Sequence, residues 1–204
     1  MLSRVLVGAV ILGTMGTAGE AWADGGPVTS GEFALYMDWK EGREDPRLEK
    51  FSEAAKMKKI AKNLGVPVTT LKEAVGKVEP VAATLGKDTE ARIRKSLEKS
   101  PIKGRVLEII VDVSQSHPVG AVKWRCGDTR DLDKEAVWVG WAIADGGPVL
   151  KTGAMWCVNG AGTKLFSAKA SRDALARIST GSIERFASSR YIRLLEGVKR
   201  GPHK

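Results

Sequence analysis

Hydrophobic positions between residues 24 and 103 recur every three or four residues, which is typical of amphipathic helices. This spacing predicts four helices, over residues 32–39, 47–64, 69–78 and 87–99. Gly65 follows the second helix at the position of a left-handed C-cap. Pro80 and Pro101 end the third and fourth helices, because proline cannot continue a helix.

The pattern changes after residue 104, where the chain becomes rich in Val, Ile, Trp and Gly. A near-continuous apolar run at 105–113 and alternation at 119–126 predict two strands that pair as an antiparallel hairpin. Further strands are predicted at 148–158 and 164–170. The apolar residues then return to helical spacing, which predicts helices at 171–179 and 182–199.

The segment 131–144 carries signals for both structures. Its acidic start, with Asp131, Asp133 and Glu135, favours a helix N-terminus, where negative charge meets the helix dipole. Its centre, Val-Trp-Val-Gly-Trp at 137–141, has the propensity of a strand. We favour the helix, and the strand stays an alternative.

The order of elements predicts an α+β protein. A small helical module, 24–103, precedes a second module, 104–204, in which an antiparallel ββαββ sheet packs against C-terminal helices. A sheet with helices segregated to one face is the usual packing for that order.

Residues 1–23 have the pattern of a secretory signal peptide. Arg4 precedes a run of 15 residues without charge, 5–19, which is too short to span a bilayer core of about 30 Å. Ala21-Trp22-Ala23 fits the small-x-small cleavage rule, so we expect cleavage after Ala23 and a periplasmic or secreted protein. An uncleaved membrane anchor is the alternative; after cleavage the protein is not an integral membrane protein.

Composition and charge narrow the chemistry. The chain has 33 Lys and Arg against 24 Asp and Glu, a net charge of +9, and 43% apolar residues, which fits a globular protein. Residues 166–204 carry +6 of this charge. Two Cys and two His exclude a four-cysteine zinc site and leave little for a histidine cluster. We therefore predict no metal and no cofactor.

One segment, residues 57–77, reads MKKIAKNLGVPVTTLKEAVGK. It resembles a DNA-binding helix-turn-helix, with matches at Ala61, Gly65, Val66 and Leu71. The resemblance implies a recognition helix in the major groove. That helix has no Arg or Asn for bidentate base contacts, and Glu73 would repel phosphate. We therefore favour a helical hairpin that does not bind nucleic acid.

The two cysteines, Cys126 and Cys157, both lie in or next to predicted strands and are 31 residues apart. An exported chain folds under oxidising conditions, so we predict a disulfide between them. Two free buried thiols are the alternative.

Four tryptophans lie within 33 residues, and we interpret them as core rather than as stacking platforms; they are Trp124, Trp138, Trp141 and Trp156. A Ser/His/Asp set also lies close together along the chain, at Asp112, Ser114, Ser116 and His117. Alternate strand residues point to opposite faces, so we interpret His117 as a turn residue.

The predicted C-terminal helix combines an apolar stripe with a basic remainder. Its basic residues are candidates for binding an acidic partner, such as anionic lipid, acidic polysaccharide or acidic protein; they are Arg185, Arg190, Arg193, Lys199 and Arg200. A docked helix with a solvated basic face is the alternative.

No set of residues in the sequence converges on acid–base or nucleophilic catalysis, and we assign no catalytic residue. The sequence therefore predicts an exported, non-enzymatic interaction or structural protein of the cell envelope, with an unidentified ligand. A DNA-binding helix-turn-helix protein, if the leader is not a signal peptide, and an envelope enzyme of unfamiliar type are the alternatives.

Overall fold

Helices precede the sheet along the chain in the computed structural model, which describes residues 26–179 and 191–201. The helices in these ranges are α1 Ser30–Arg43, α2 Glu53–Leu64, α3 Val68–Val78, α4 Leu85–Leu97, α5 Leu132–Gly146 and α6 Arg172–Ser179. The strands are β1 Val106–Asp112, β2 Val119–Arg125, β3 Thr152–Val158, β4 Lys164–Ser171 and β5 Glu196–Arg200. The predicted α+β class is confirmed. The predicted leader at 1–23, with its predicted cleavage site after Ala23, lies outside the described residues.

Local side chains decide where the first helices begin and end. At α1, the Thr29 side chain and Glu32 form a capping box. The predicted helix at 47–64 begins only at Glu53, because the Ser52 hydroxyl caps it there by accepting from the backbone N–H of Ala55. Gly65 ends α2 with a φ of 68°, as its predicted role as a C-cap requires.

The five strands form one mixed sheet in the order β1-β2-β3-β4-β5. β1–β2, β3–β4 and β4–β5 pair antiparallel, but β2 and β3 are parallel. The prediction of a wholly antiparallel sheet is therefore wrong. The reason lies in α5, which connects β2 to β3: a helix that crosses over one face brings the chain back in the same direction.

The ambiguous segment at 131–144 is helical, within α5. This helix is buried around most of its circumference, because it packs on β2 and β3 and also against α4 and α6. Such all-round burial explains why its centre is as apolar as a strand. Tertiary packing here outweighs the β-propensity of residues 137–141.

The core lies between the sheet and the helices. The largest side chains on the helix-facing side of the sheet, Trp124, Met155 and Phe166, are fully buried. Buried side chains of the N-terminal helices, including Phe33 and Leu71, belong to the same hydrophobic cluster. The division into modules 24–103 and 104–204 stays a prediction.

The end of the predicted C-terminal helix 182–199 is wrong. Residues 180–190 lie outside the described residues, but Ile192–Leu194 is a short 3-10 turn and Glu196–Arg200 is β5. Leu195 is extended, and Gly197 has a φ of 58°, so neither continues a right-handed helix. Pairing with β4 supplies the backbone hydrogen bonds that a helix would otherwise have provided.

Helices α4 and α5 approach each other closely at Gly146. A Cβ added there would overlap the backbone nitrogen of Ile93, and the Gly146 carbonyl accepts a 3.0 Å hydrogen bond from the Arg92 side chain. We expect Gly146→Ala to lower the free energy of unfolding by about 1–3 kcal/mol, because neither backbone moves freely. Urea denaturation followed by circular dichroism measures this loss.

The matched control is Gly76→Ala in α3, where a Cβ would meet nothing within 4 Å. That variant should be as stable as the native protein, or more stable by about 0.5–1 kcal/mol, since alanine favours helix. Equal stability of Gly146→Ala and the native protein would contradict the close approach.

Candidate ligand-binding face

One face of the sheet carries side chains that point away from the helices, and we name it the open face. Successive strand residues alternate between the two faces, and register partners share a face. Two rows of side chains that cross the strands from β1 to β5 make up its centre. The first row is Glu108, Lys123, Trp156, Ser167 and Lys199, and the second row is Ile110, Ala121, Ala154, Lys169 and Glu196. Their side chains are half-buried or exposed, and Ile110 is 46% exposed. This is an unusual place for an isoleucine and a tryptophan.

A groove of about 530 Å³ crosses the open face over β3, β4 and β5. Small residues, Ala154, Ser167 and Gly197, line much of it. They leave room beside the half-buried indole of Trp156, which is the largest apolar side chain on its wall. The groove thus has one flat aromatic surface and an otherwise open floor.

The groove is positively charged. Lys164, Lys169 and Lys199 line it, against the single carboxylate of Glu196, which lies opposite Lys169 in the register of β4 and β5. Lys123 neighbours Trp156 on β2. Within residues 26–179 and 191–201, none of these four lysines forms a salt bridge. The excess of positive charge over the one carboxylate in this groove attracts anions.

Asp112 lies on the open face at the other edge of the sheet, on β1. Asp112 accepts hydrogen bonds from the hydroxyl and the backbone N–H of Ser114, and these bonds lower the pKa of its carboxyl. His117 is exposed in the turn, and its Nε2 lies 2.9 Å from the Thr152 hydroxyl. It forms no hydrogen bond with Asp112 or Ser114 among the described residues. The candidate Ser/His/Asp set therefore does not converge, in agreement with the interpretation of His117 as a turn residue.

The basic residues predicted on one C-terminal helix do not share a surface. Because β5 is a strand, Lys199 points to the open face while Arg200 points to the other. There, Arg200 forms a bidentate ion pair with Asp133 of α5 at 2.8–2.9 Å. Arg193 is exposed, and Arg185 and Arg190 lie outside the described residues. Of the three members of this set that the structure describes, Lys199 lines the groove and Arg193 and Arg200 do not.

The four clustered tryptophans have three different environments. Trp124 is fully buried against Phe166, as the core interpretation predicts. Trp138 and Trp141 are half-buried on α5 and meet edge to face, with ring centroids 5.6 Å apart. For Trp156 the core interpretation is wrong, since its ring lines the groove.

A buried polar network, which the sequence analysis did not single out, lies under the helix-facing side of the sheet. The Glu135 carboxylate accepts from Arg105 Nη2 at 2.6 Å, from Trp124 Nε1 at 2.8 Å and from the backbone N–H of Gly127 at 3.3 Å. Arg105 is 30 residues from Glu135 along the chain, and Trp124 and Gly127 lie in and just after β2, so no spacing within one element reveals the network. Its satisfied bonds indicate a structural role.

The two cysteines are joined by a disulfide, with Cα atoms 5.2 Å apart. It links the residue that follows β2 to β3, and the Cys126 backbone N–H also donates to Val158 O. The disulfide therefore fixes the parallel pair of strands at the end that carries Trp156.

The helix-turn-helix-like segment forms a hairpin of α2 and α3, and α1 packs on both. Ala61 and Leu71 are fully buried in it, which explains their spacing. On α3, Glu73 is exposed and Lys77 is held by Glu32 in a 2.7 Å ion pair. The surface of α3 therefore offers little uncompensated positive charge to a phosphate backbone.

No family profile, curated protein or solved structure matches the chain. A proposal for its function therefore rests on the sequence and on the geometry described above. Within the described ranges, no helix is both long enough and apolar enough to cross a bilayer.

Proposed function

We propose that this chain is an exported, non-enzymatic interaction protein of the cell envelope that binds an acidic partner through its open face. The observation that carries the proposal is the groove, where three lysines surround one tryptophan and one carboxylate. The proposal keeps the acidic partner expected from the C-terminal charge but moves its site from a helix to the sheet.

Two features support export. The leader at 1–23 has the charge, length and cleavage pattern of a signal peptide. The disulfide between Cys126 and Cys157 is of the kind that persists in the periplasm or outside the cell and is rare in the cytosol. Lipid headgroups and polysaccharides of the envelope are acidic partners that such a protein meets.

Binding of the purified protein to three polyanions tests the proposal: phosphatidylglycerol vesicles, polygalacturonate and polyglutamate, at ionic strength of about 0.15 M. We expect binding to at least one of them, weakened by added salt. Lys169→Gln/Lys199→Gln should weaken it about tenfold, a change of ~1.4 kcal/mol, because two charge-assisted contacts are lost. Glutamine keeps much of the side-chain length and avoids a like-charge pair with Glu196.

The matched control is Lys58→Gln/Lys62→Gln, which removes the same charge from exposed positions on α2. It should bind as the native protein does. If the native protein binds none of the three polyanions, or if both double variants lose affinity equally, the open face is not the binding surface. Preferential binding to duplex DNA, abolished by the α2 variant alone, would instead favour the helix-turn-helix alternative.

A further inference from the structure

We infer that the groove binds an acidic polysaccharide, with one pyranose ring against the indole of Trp156 and carboxylate or sulfate groups on the flanking lysines. This inference rests on the proposed function and names the chemical class of its ligand. Three features of the groove select that class: a flat apolar wall, a mixture of cations with one acceptor, and a recessed shape.

The flat wall suits a sugar ring. The axial C–H bonds of a pyranose carry partial positive charge on an apolar face, and the face of an indole is electron-rich. Ala154 and Gly197 leave the space beside the ring free of large side chains. Trp156 is therefore the one flat aromatic surface among the groove-lining residues against which a sugar ring can pack.

The row of side chains across the strands places charge on both sides of that ring. Lys123 precedes Trp156 on β2, while Ser167 and then Lys199 follow it on β4 and β5. At about 4.8 Å between strands, Lys123 and Lys199 stand ~14 Å apart. A chain that runs across the strands thus meets a cation before and after its stacked ring.

Glu196 distinguishes a polysaccharide from a ligand that presents only phosphates. Its carboxylate accepts hydrogen bonds and donates none, and it forms no salt bridge with any described residue. Sugar hydroxyls are donors that such a carboxylate binds, whereas a phosphate group would be repelled by it. Ser167, which both donates and accepts, adds a second hydroxyl partner.

The rest of the open face argues against a bilayer and against single-stranded nucleic acid. Glu108 and Asp112 share the face with the lysines, so a flat anionic membrane would meet acidic side chains as well. Single-stranded nucleic acids stack successive bases on several aromatics. In the two rows of the open face, Trp156 is the only aromatic side chain.

Calorimetric titration of the purified protein with polygalacturonate, which carries carboxylates, and with heparin, which carries sulfates, tests the inference. At least one polymer should bind, with a change in tryptophan fluorescence, and uncharged dextran should not. Trp156→Leu should weaken binding about tenfold, the change that ~1.4 kcal/mol produces, and should lose the fluorescence change. Trp156→Phe, which retains a flat ring, should recover part of the affinity.

Trp138→Leu on α5 is the matched control and should bind as the native protein does. A circular dichroism spectrum and an unfolding midpoint for each variant exclude loss of fold as the cause of weaker binding. If Trp156→Leu does not fold, the affinity of Trp156→Phe is the test instead. Native-like affinity of Trp156→Leu, or binding of oligo(dT) as tight as that of both polymers, would overturn the inference. Binding to vesicles alone would overturn it and leave the proposed function standing, whereas no binding to any polyanion would overturn both.

Discussion

Replacing Glu135 with alanine is expected to lower the free energy of unfolding by about 2–4 kcal/mol, because buried hydrogen-bond donors lose their charged acceptor. The carboxylate is 4% exposed and accepts from three donors, which are Arg105, the Trp124 indole and the backbone of Gly127. Without it, the indole N–H has no acceptor in the core, and the Arg105 guanidinium keeps only its bonds to the carbonyls of Pro101 and Arg125.

Chemical denaturation of the native protein and the variant measures this loss. Glu90→Ala is the control, because Glu90 pairs with Arg94 at 3.2 Å on the surface of α4. Its removal should cost only about 0.2–0.5 kcal/mol. Glu135→Gln, which keeps the shape but not the charge, should fall between the two. A Glu135→Ala variant within about 1 kcal/mol of the native protein would mean that water satisfies these donors.

Removing the disulfide is expected to cost about 3–4 kcal/mol, since the bond closes a loop of 31 residues in the unfolded chain. The variant is Cys126→Ala/Cys157→Ala, and its unfolding midpoint is compared with that of the native protein with and without reductant. The reduced native protein should match the variant, because both lack the same constraint. An unchanged midpoint on reduction would show that the strands are held as firmly by packing alone.

The same variant separates stability from site geometry. Cys157 follows Trp156 in β3, so a loosened β2–β3 end should also weaken ligand binding, even under conditions where the variant remains folded. Gly160, exposed in the β3–β4 turn with no neighbour of a Cβ within 4 Å, offers a control. Gly160→Ala should change neither the midpoint nor the affinity.

Local features of this fold followed from the sequence. Gly65 could be predicted as the end of α2 because a left-handed C-cap depends only on the residues around it, and the sequence shows those residues directly. The strands of the β1–β2 hairpin were predicted from local patterns too, β1 from a near-continuous apolar run and β2 from alternation. The helix at 131–144 was favoured by its acidic first turn, although its apolar centre became intelligible only with the neighbours that bury it.

The errors arose where distant segments determine the structure. The parallel pairing of β2 and β3 depends on α5 packing across the sheet as a crossover connection, and β5 depends on the free edge that β4 offers. Helical spacing of apolar residues at 182–199 gave no sign of that edge. For residues 196–200, pairing to an existing strand outweighs the local pattern.

The candidate site was the least predictable part. Trp156 alternates with two buried neighbours, Met155 and Cys157, but alternation alone does not tell which of the two sets the helices cover. Lys164, Lys169 and Lys199 are ordinary surface lysines in the sequence, and only the register of β3, β4 and β5 brings them to one recess. Of the three described basic residues among the five selected from the sequence, one, Lys199, belongs to that recess.

The position of β5 has a consequence for the order of events during biosynthesis. Glu196, Gly197 and Lys199 form one wall of the groove, and they are synthesised after the other four strands of the sheet. A nascent polypeptide that still lacks these three residues can pair its first four strands, but its groove is open on one side. The complete groove therefore forms only once β5 has been synthesised and has paired with β4.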